Sequence, residues 1–249
     1  MLGYFLGKVI RYRLSVCVQN LSRAFPGFSY KEINDCTDEF YQNLARIGWE
    51  MLYPSKTTLK VGLATTHKIG QLSHRRRPTI LLLGHFGNWE VLNQLPRFTD
   101  VPVRALYKPL KNNLADYLVR SRRTSYGLTL IRSGQALRAP LKDKTNNSIM
   151  LFIADQFPGS NNGISVNFLN QQTRMFSGAE QLARRLDAFV GYIELASKPN
   201  HTWEMNVQTI CENASNTTEG YITRTYTKML EESIHKAPAW WLWSHRRWK

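Results

Sequence analysis

Three cysteines in 249 residues, Cys17, Cys36 and Cys211, are too few and too widely spaced for a disulfide framework or a C-x-x-C metal site. They point to a reducing compartment. The chain also lacks a long hydrophobic run. Its start, "MLGYFLGKVIRYR", is apolar only until Lys8, whereas a spanning helix needs about 20 apolar residues and a signal peptide an apolar core of roughly 7–15. As read, it neither crosses a membrane nor carries an export signal. No Ser/Gly-rich linker, low-complexity tract or internal repeat marks a boundary. The expectation is one domain, with an N-terminal helical region over 1–54 and an α/β core over 78–249. Acidic residues are scarce as well: 18 Asp+Glu against 33 Lys+Arg give a net charge of +15. A surface so basic seeks polyanions, and nucleic acid, anionic lipid headgroups and an acidic carrier protein all qualify.

Several chemistries lack their motifs. There is no G-x-S-x-G elbow, no G-x-x-x-x-G-K-[ST] phosphate loop, no G-x-G-x-x-G and no H-E-x-x-H. Serine hydrolase, P-loop NTPase, Rossmann dehydrogenase and zincin readings all lose support. A nucleic-acid-binding module would account for the charge, but zinc-finger spacing and an RNP1-like segment are missing too.

What is present is an alternation of short apolar runs with helical patterns. Residues 30–53 place Ile33, Phe40, Tyr41, Leu44, Ile47 and Met51 near a 3.6-residue period, which predicts an amphipathic helix ended by Pro54. Beyond it, 79–84, 103–108, 128–132, 148–154 and 189–195 read as buried strands. Between them "NWEVLNQL", "NNLADYLVRSRR", "GQALRAPLKD" and "SGAEQLARRL" read as helices. This pattern predicts a mostly parallel central sheet flanked by helices. The run "HRRR" (74–77) reads as a solvated loop.

In such folds ligands bind beyond the carboxyl ends of strands. Two loops sit there: "GHFGNWE" after the first core strand and "DQFPG" (155–159) after "SIMLFIA". His85 and Glu90, five residues apart, would point away from each other on one regular helix. They can meet if His85 precedes the helix, with Gly84 and Gly87 in a tight turn, Asn88 as N-cap and Glu90 in the first turn. Such a pair suits general-base catalysis, the carboxylate fixing the tautomer while the imidazole takes a proton from a hydroxyl. By chance alone six histidines and 18 acids yield roughly 0.4 such spacings per chain of this size. The residues by themselves therefore leave both catalysis and a structural hydrogen bond open.

"LLLGHFGNWE" resembles the H-x4-[DE] block of the lysophospholipid acyltransferase superfamily, and specifically of the bacterial lipid A biosynthesis (late, lauroyl/myristoyl) acyltransferases. Six further segments are similar in order: "NLSRAFPGFS", "YKPLKNNLADYLVRSRRTSYG", "FIADQFPG", "VNFL", "TRMFSGAEQLARRLDAFV" and the ending "APAWWLWSHRRWK". The resemblance implies a glycerol-3-phosphate acyltransferase-like α/β fold. It also implies transfer of a fatty acyl group from acyl carrier protein or coenzyme A to a hydroxyl of a lipid A precursor, or of another membrane lipid such as a mannoside or amino lipid. His85 becomes the general base and Glu90 its orienting acid. Asn88, Lys108, Asn112, Arg122, Arg123, Asp155, Gln156 and Phe168 become substrate-binding residues, with Lys108 and Arg122 or Arg123 suited to an anionic headgroup or the thioester oxyanion.

The implied reaction needs no metal or other cofactor beyond the acyl thioester. Its implied setting is the cytoplasmic face of a bacterial inner membrane. Family members usually carry an N-terminal membrane helix, so this chain as written is expected to bind an anionic membrane surface peripherally or to lack its start. The Trp- and Arg-rich ending reads either as an interfacial segment or as a core-packed tail. No nucleic-acid partner is expected.

Overall fold

The computed structural model describes residues 3, 5–74, 77–135, 147–159 and 163–248. At its centre lies β2 (Thr79–Leu83), five residues buried without exception. Ile80 and Leu82 face one hydrophobic cluster, Leu81 and Leu83 the other. A strand apolar on both sides belongs in the middle of a parallel sheet covered on both faces. On either side of it run β5 (Ile149–Ile153) and β8 (Phe189–Lys198), both parallel to β2. Outside β5 come β3 (Val103–Tyr107) and β4 (Thr129–Arg132), also parallel. Outside β8 the direction reverses: β9 (Thr202–Cys211) is antiparallel to β8, and β1 (Thr58–Val61) follows β9 in parallel. The seven-stranded order is β1-β9-β8-β2-β5-β3-β4, and a separate antiparallel ribbon pairs β6 (Ile164–Phe168) with β7 (Gln171–Met175).

One face is covered by α1 (Leu14–Ala24), α2 (Tyr30–Leu52), α5 (Gly178–Leu186), α6 (Tyr221–Lys236) and the C-terminal tail. α3 (Leu63–His74) and the 3-10 helix Trp89–Phe98 cover the other. α4 (Asn113–Arg123) lies outside both clusters, with no buried residue. α2 begins at a capping box, in which the Ser29 side chain accepts from the Glu32 N–H and the Glu32 carboxylate from the Ser29 N–H. Such a cap contributes about 1 kcal/mol. Pro54 opens a 3-10 turn just past its end.

Every strand expected from the sequence is present, while β1, β6, β7, β9, α1, α3 and α6 come from the structure. The predicted helix over 134–143 and the arginines at 75 and 76 fall mainly outside the described residues. Arg77 pairs with Asp187 at 2.9 Å.

Candidate active site

Register assembles the site. Leu83 of β2 lies opposite Ile153 of β5, and the Ala154 N–H donates to the Leu83 carbonyl. Two residues on, the neighbouring parallel chains release His85 and Asp155 side by side. His85 Nδ1 lies 2.7 Å from Asp155 Oδ1, and the His85 backbone N–H donates to Oδ2 at 2.8 Å. Gly84 allows this approach, since a Cβ there would sit 2.6 Å from Leu230 and 3.3 Å from Asp155 Oδ2. Gly87 makes the next turn with φ at +65°, a region that favours glycine.

The C-terminal tail closes the site from behind. The Trp241 indole N–H donates to Asp155 Oδ2 at 2.9 Å. The Leu242 N–H donates to the His85 carbonyl and the Gly87 N–H to the Trp240 carbonyl, so the tail pairs with the loop like a short strand. Asp155 is only 3% exposed. Burial alone would raise its pKa, but the facing imidazole and the hydrogen bonds from His85 and Trp241 overcome that and hold it at about 2. A carboxylate fixed at Nδ1 favours the tautomer with its proton there, leaving the Nε2 lone pair for an incoming hydroxyl. His85 is 16% exposed and meets Trp89 edge to face at 4.9 Å.

The acid on the imidazole is thus Asp155, and the expected His85–Glu90 contact gives way to another pairing. Glu90 does stand in the first turn of a helix capped by Asn88, whose Oδ1 accepts from the Glu90 N–H at 3.0 Å. Its carboxylate turns instead to Arg123, whose Nε and Nη2 donate at 2.8 and 2.5 Å. The Trp89 indole N–H adds a third bond at 3.1 Å, so Trp89 stands between the two acids' environments. The two-pronged guanidinium is the stronger match for a carboxylate. Burial alone would lower the Arg123 pKa, but its bonds to Glu90 more than offset this and raise it.

Beyond Trp89 an apolar cleft of about 60 Å³ opens, lined by Leu83, Leu92, Leu106, Leu128 and Leu130 among others, with Glu90 and Arg123 at its polar wall. The full sequence, residues 1–249, matches the model of the bacterial lipid A biosynthesis acyltransferases. The chain belongs to this family. The coarse activity that follows is acyl transfer to a lipid. A solved structure to which the chain is similar is that of the 1-acyl-sn-glycerophosphate (LPA) acyltransferase PlsC from Thermotoga maritima, 13% identical over 96% of this chain and 94% of that one, with a TM-score of 0.41. No curated protein matches the sequence.

In this acyltransferase the other expected residues are dispersed. Asn88 is buried at the loop. Lys108 and Arg122 are exposed, at the end of β3 and in the last turn of α4. Arg123 has spent two donors on Glu90 and is no longer an unpaired cation. Asn112 caps α4, its Oδ1 accepting from the Ala115 N–H at 3.0 Å. Gln156 is exposed just past Asp155. Phe168 is 0% exposed and packs against Trp241 and Trp248, which makes it a core residue rather than a substrate contact. The terminal tryptophans are not interfacial either: Trp241 and Trp243 are buried, as is Arg247, because the tail threads between α1, the catalytic loop and the β6–β7 ribbon. The residues that spacing missed are Trp241 and Glu50. Glu50 accepts from the Asn88 amide at 2.7 Å.

Proposed function

We propose that this protein transfers a fatty acyl group from an acyl carrier protein or coenzyme A thioester to a hydroxyl of a lipid A precursor or a related membrane glycolipid. The observation that carries the reading is the buried Asp155 carboxylate on His85 Nδ1 at a strand's carboxyl end. His85 Nε2 removes the acceptor hydroxyl's proton as that oxygen bonds to the thioester carbonyl carbon. The tetrahedral intermediate collapses, the carbon–sulfur bond breaks, and the departing sulfur takes the proton back from the imidazolium. Glu90 and Arg123 act as a neutral pair that walls the site. Lys108 and Arg122 serve the oxyanion or an anionic headgroup. No cofactor besides the thioester takes part.

The leucine-lined cleft would receive the start of the acyl chain. Leu130 stands in its wall, so a larger side chain there shortens the space left for the chain. Leu130→Trp is expected to shift products toward shorter acyl chains, read as the mass added to the lipid. The test of the reaction itself is mass spectrometry of lipids from cells with and without the protein. A species heavier by one acyl group, present only with the protein, supports the proposal. A purified, folded enzyme that acylates no lipid hydroxyl from either thioester would refute it.

The setting proposed is the cytoplasmic face of an inner membrane, held peripherally. Among the described residues no helix is long and apolar enough to cross a membrane. α4 offers a surface for such a hold: Leu114 and Tyr117 are 69% and 68% exposed, and with Leu118 they share one helix face. Exposed Lys108, Lys111, Arg120 and Arg122 surround them. Apolar side chains ringed by cations suit an anionic bilayer. Leu114→Ser with Tyr117→Ser should weaken binding to phosphatidylglycerol vesicles about tenfold or more, measured by co-sedimentation, while turnover of detergent-dispersed substrate persists.

A further inference from the structure

We infer that Glu50 is a positioning residue for the catalytic loop and acts through Asn88; this rests on the acyl-transfer reading above. Glu50 lies on α2, far from the loop in sequence, and its side chain is fully buried. Four donors converge on its carboxylate. Oε1 accepts from Arg46 Nε at 2.6 Å and faces His201 Nδ1 at 2.8 Å; Oε2 accepts from Asn88 Nδ2 and Trp203 Nε1, both at 2.7 Å. Burial would raise its pKa, but the hydrogen bonds from Arg46, His201 and Trp203 hold it below the usual carboxylate value.

A buried charge is a poor source of stability, because desolvation offsets much of the attraction. What a carboxylate supplies here is direction. It can only accept, so the Asn88 amide must turn its NH₂ toward Glu50 and its Oδ1 toward the Glu90 N–H. That choice starts the 3-10 helix at Trp89 and aims Glu90 at Arg123, which in turn fixes Trp89 against the His85 ring. Arg46, held by Glu50, also lies 5.6 Å over the Trp240 ring, and the Trp240 carbonyl accepts from the Gly87 N–H. Consecutive loop residues, Gly87 and Asn88, are therefore both tied to one cluster. Its outer end is the β8–β9 hairpin, where Asn200 and His201 adopt left-handed backbone conformations that bring His201 onto Glu50.

The test is a pair of exchanges read by kinetics and by hydrogen exchange of the 84–92 peptide, well below each variant's Tm. Glu50→Gln should lower kcat about tenfold or more with KM within threefold, and speed exchange in the loop. Asn88→Asp sets two carboxylates face to face and should cost about a hundredfold in kcat. In the double variant the new amide on α2 can donate to the new carboxylate in the loop, which still accepts from the Glu90 N–H, while the Trp203 indole N–H loses its acceptor and keeps the rescue partial. There kcat and loop protection should recover at least tenfold over Asn88→Asp alone. Recovery of Tm without kcat, or a folded Glu50→Gln enzyme with wild-type kcat and loop exchange, overturns the inference. If Glu50→Gln does not fold, Asn88→Leu replaces it, and wild-type kcat and exchange in that variant overturn the inference equally. A wild-type protein that transfers no acyl group while the loop still responds to Glu50→Gln would instead overturn the reaction and leave the positioning role standing.

Discussion

A folded His85→Ala protein should lose at least about 10³-fold of its acyl-transfer rate, the upper range of what a positioned base supplies. The loss falls on kcat, because the imidazole acts on a proton that moves only as the carbonyl is attacked. The fold should survive. The backbone bonds at residue 85, from its N–H to Asp155 and from the Leu242 N–H to its carbonyl, do not involve the ring. What changes is Asp155, which loses one of three donors and the imidazole that helps hold its pKa down. A buried carboxylate left with an unused oxygen costs about 1–3 kcal/mol, so Tm should fall measurably while the protein stays native at assay temperature. Turnover of a radiolabelled thioester, measured beside circular dichroism, separates the two effects. Wild-type turnover in a native His85→Ala enzyme would remove His85 from the mechanism.

The catalytic strand is readable because β2 is apolar on both faces, and the loop after it because a histidine and two glycines follow such a strand. The partner acid is not readable by spacing. Asp155 lies 70 residues away, and only the parallel register of β2 and β5, with Leu83 opposite Ile153, brings it to His85. Glu90 draws attention because it is near in sequence, yet a guanidinium 33 residues on outcompetes an imidazole for its carboxylate. Asp155, expected as a substrate-binding residue, instead makes its bonds to the catalytic imidazole and backbone. Glu50 does leave a signal in the sequence: with Asn43 it falls on the same helical stripe as Phe40 and Ile47, where a polar residue is buried and needs a partner.

Elsewhere, composition without context leaves a reading open or hides an element. Tryptophans beside arginines suit a lipid interface and a packed tail equally, and the hydrogen bonds from Asn20 to the Trp243 and His245 carbonyls decide for the tail. β9 carries a period-two pattern, with Trp203, Met205 and Val207 buried in alternation, but its interspersed polar residues hide it among loops. β7 is mostly polar and β6 is a short alternation of Ile164, Val166 and Phe168 with polar residues, and among the described residues each has only the other to pair with.

Asp155→Asn should reduce kcat about as severely as loss of His85, roughly 10³-fold or more, although the side chain barely changes size. Two fixed donors, the His85 backbone N–H and the Trp241 indole N–H, point at the Oδ2 position. An asparagine must put its oxygen there, which turns its NH₂ toward His85 Nδ1. Nδ1 then has to accept, so the ring proton moves to Nε2 and the lone pair that would take the substrate's proton is gone. The same variant should change the acid limb of stability. Asp155 has a folded pKa of about 2 against an ordinary value near 3.9. Because the folded value is the lower one, its stabilisation is present above about pH 4 and is lost as pH falls toward 2. Wild-type denaturation midpoints should therefore drop through that window, and those of Asp155→Asn should drop less. An Asp155→Asn enzyme with near wild-type kcat would mean that the Nε2 lone pair survives without the carboxylate, and that the base in this site is not oriented by Asp155.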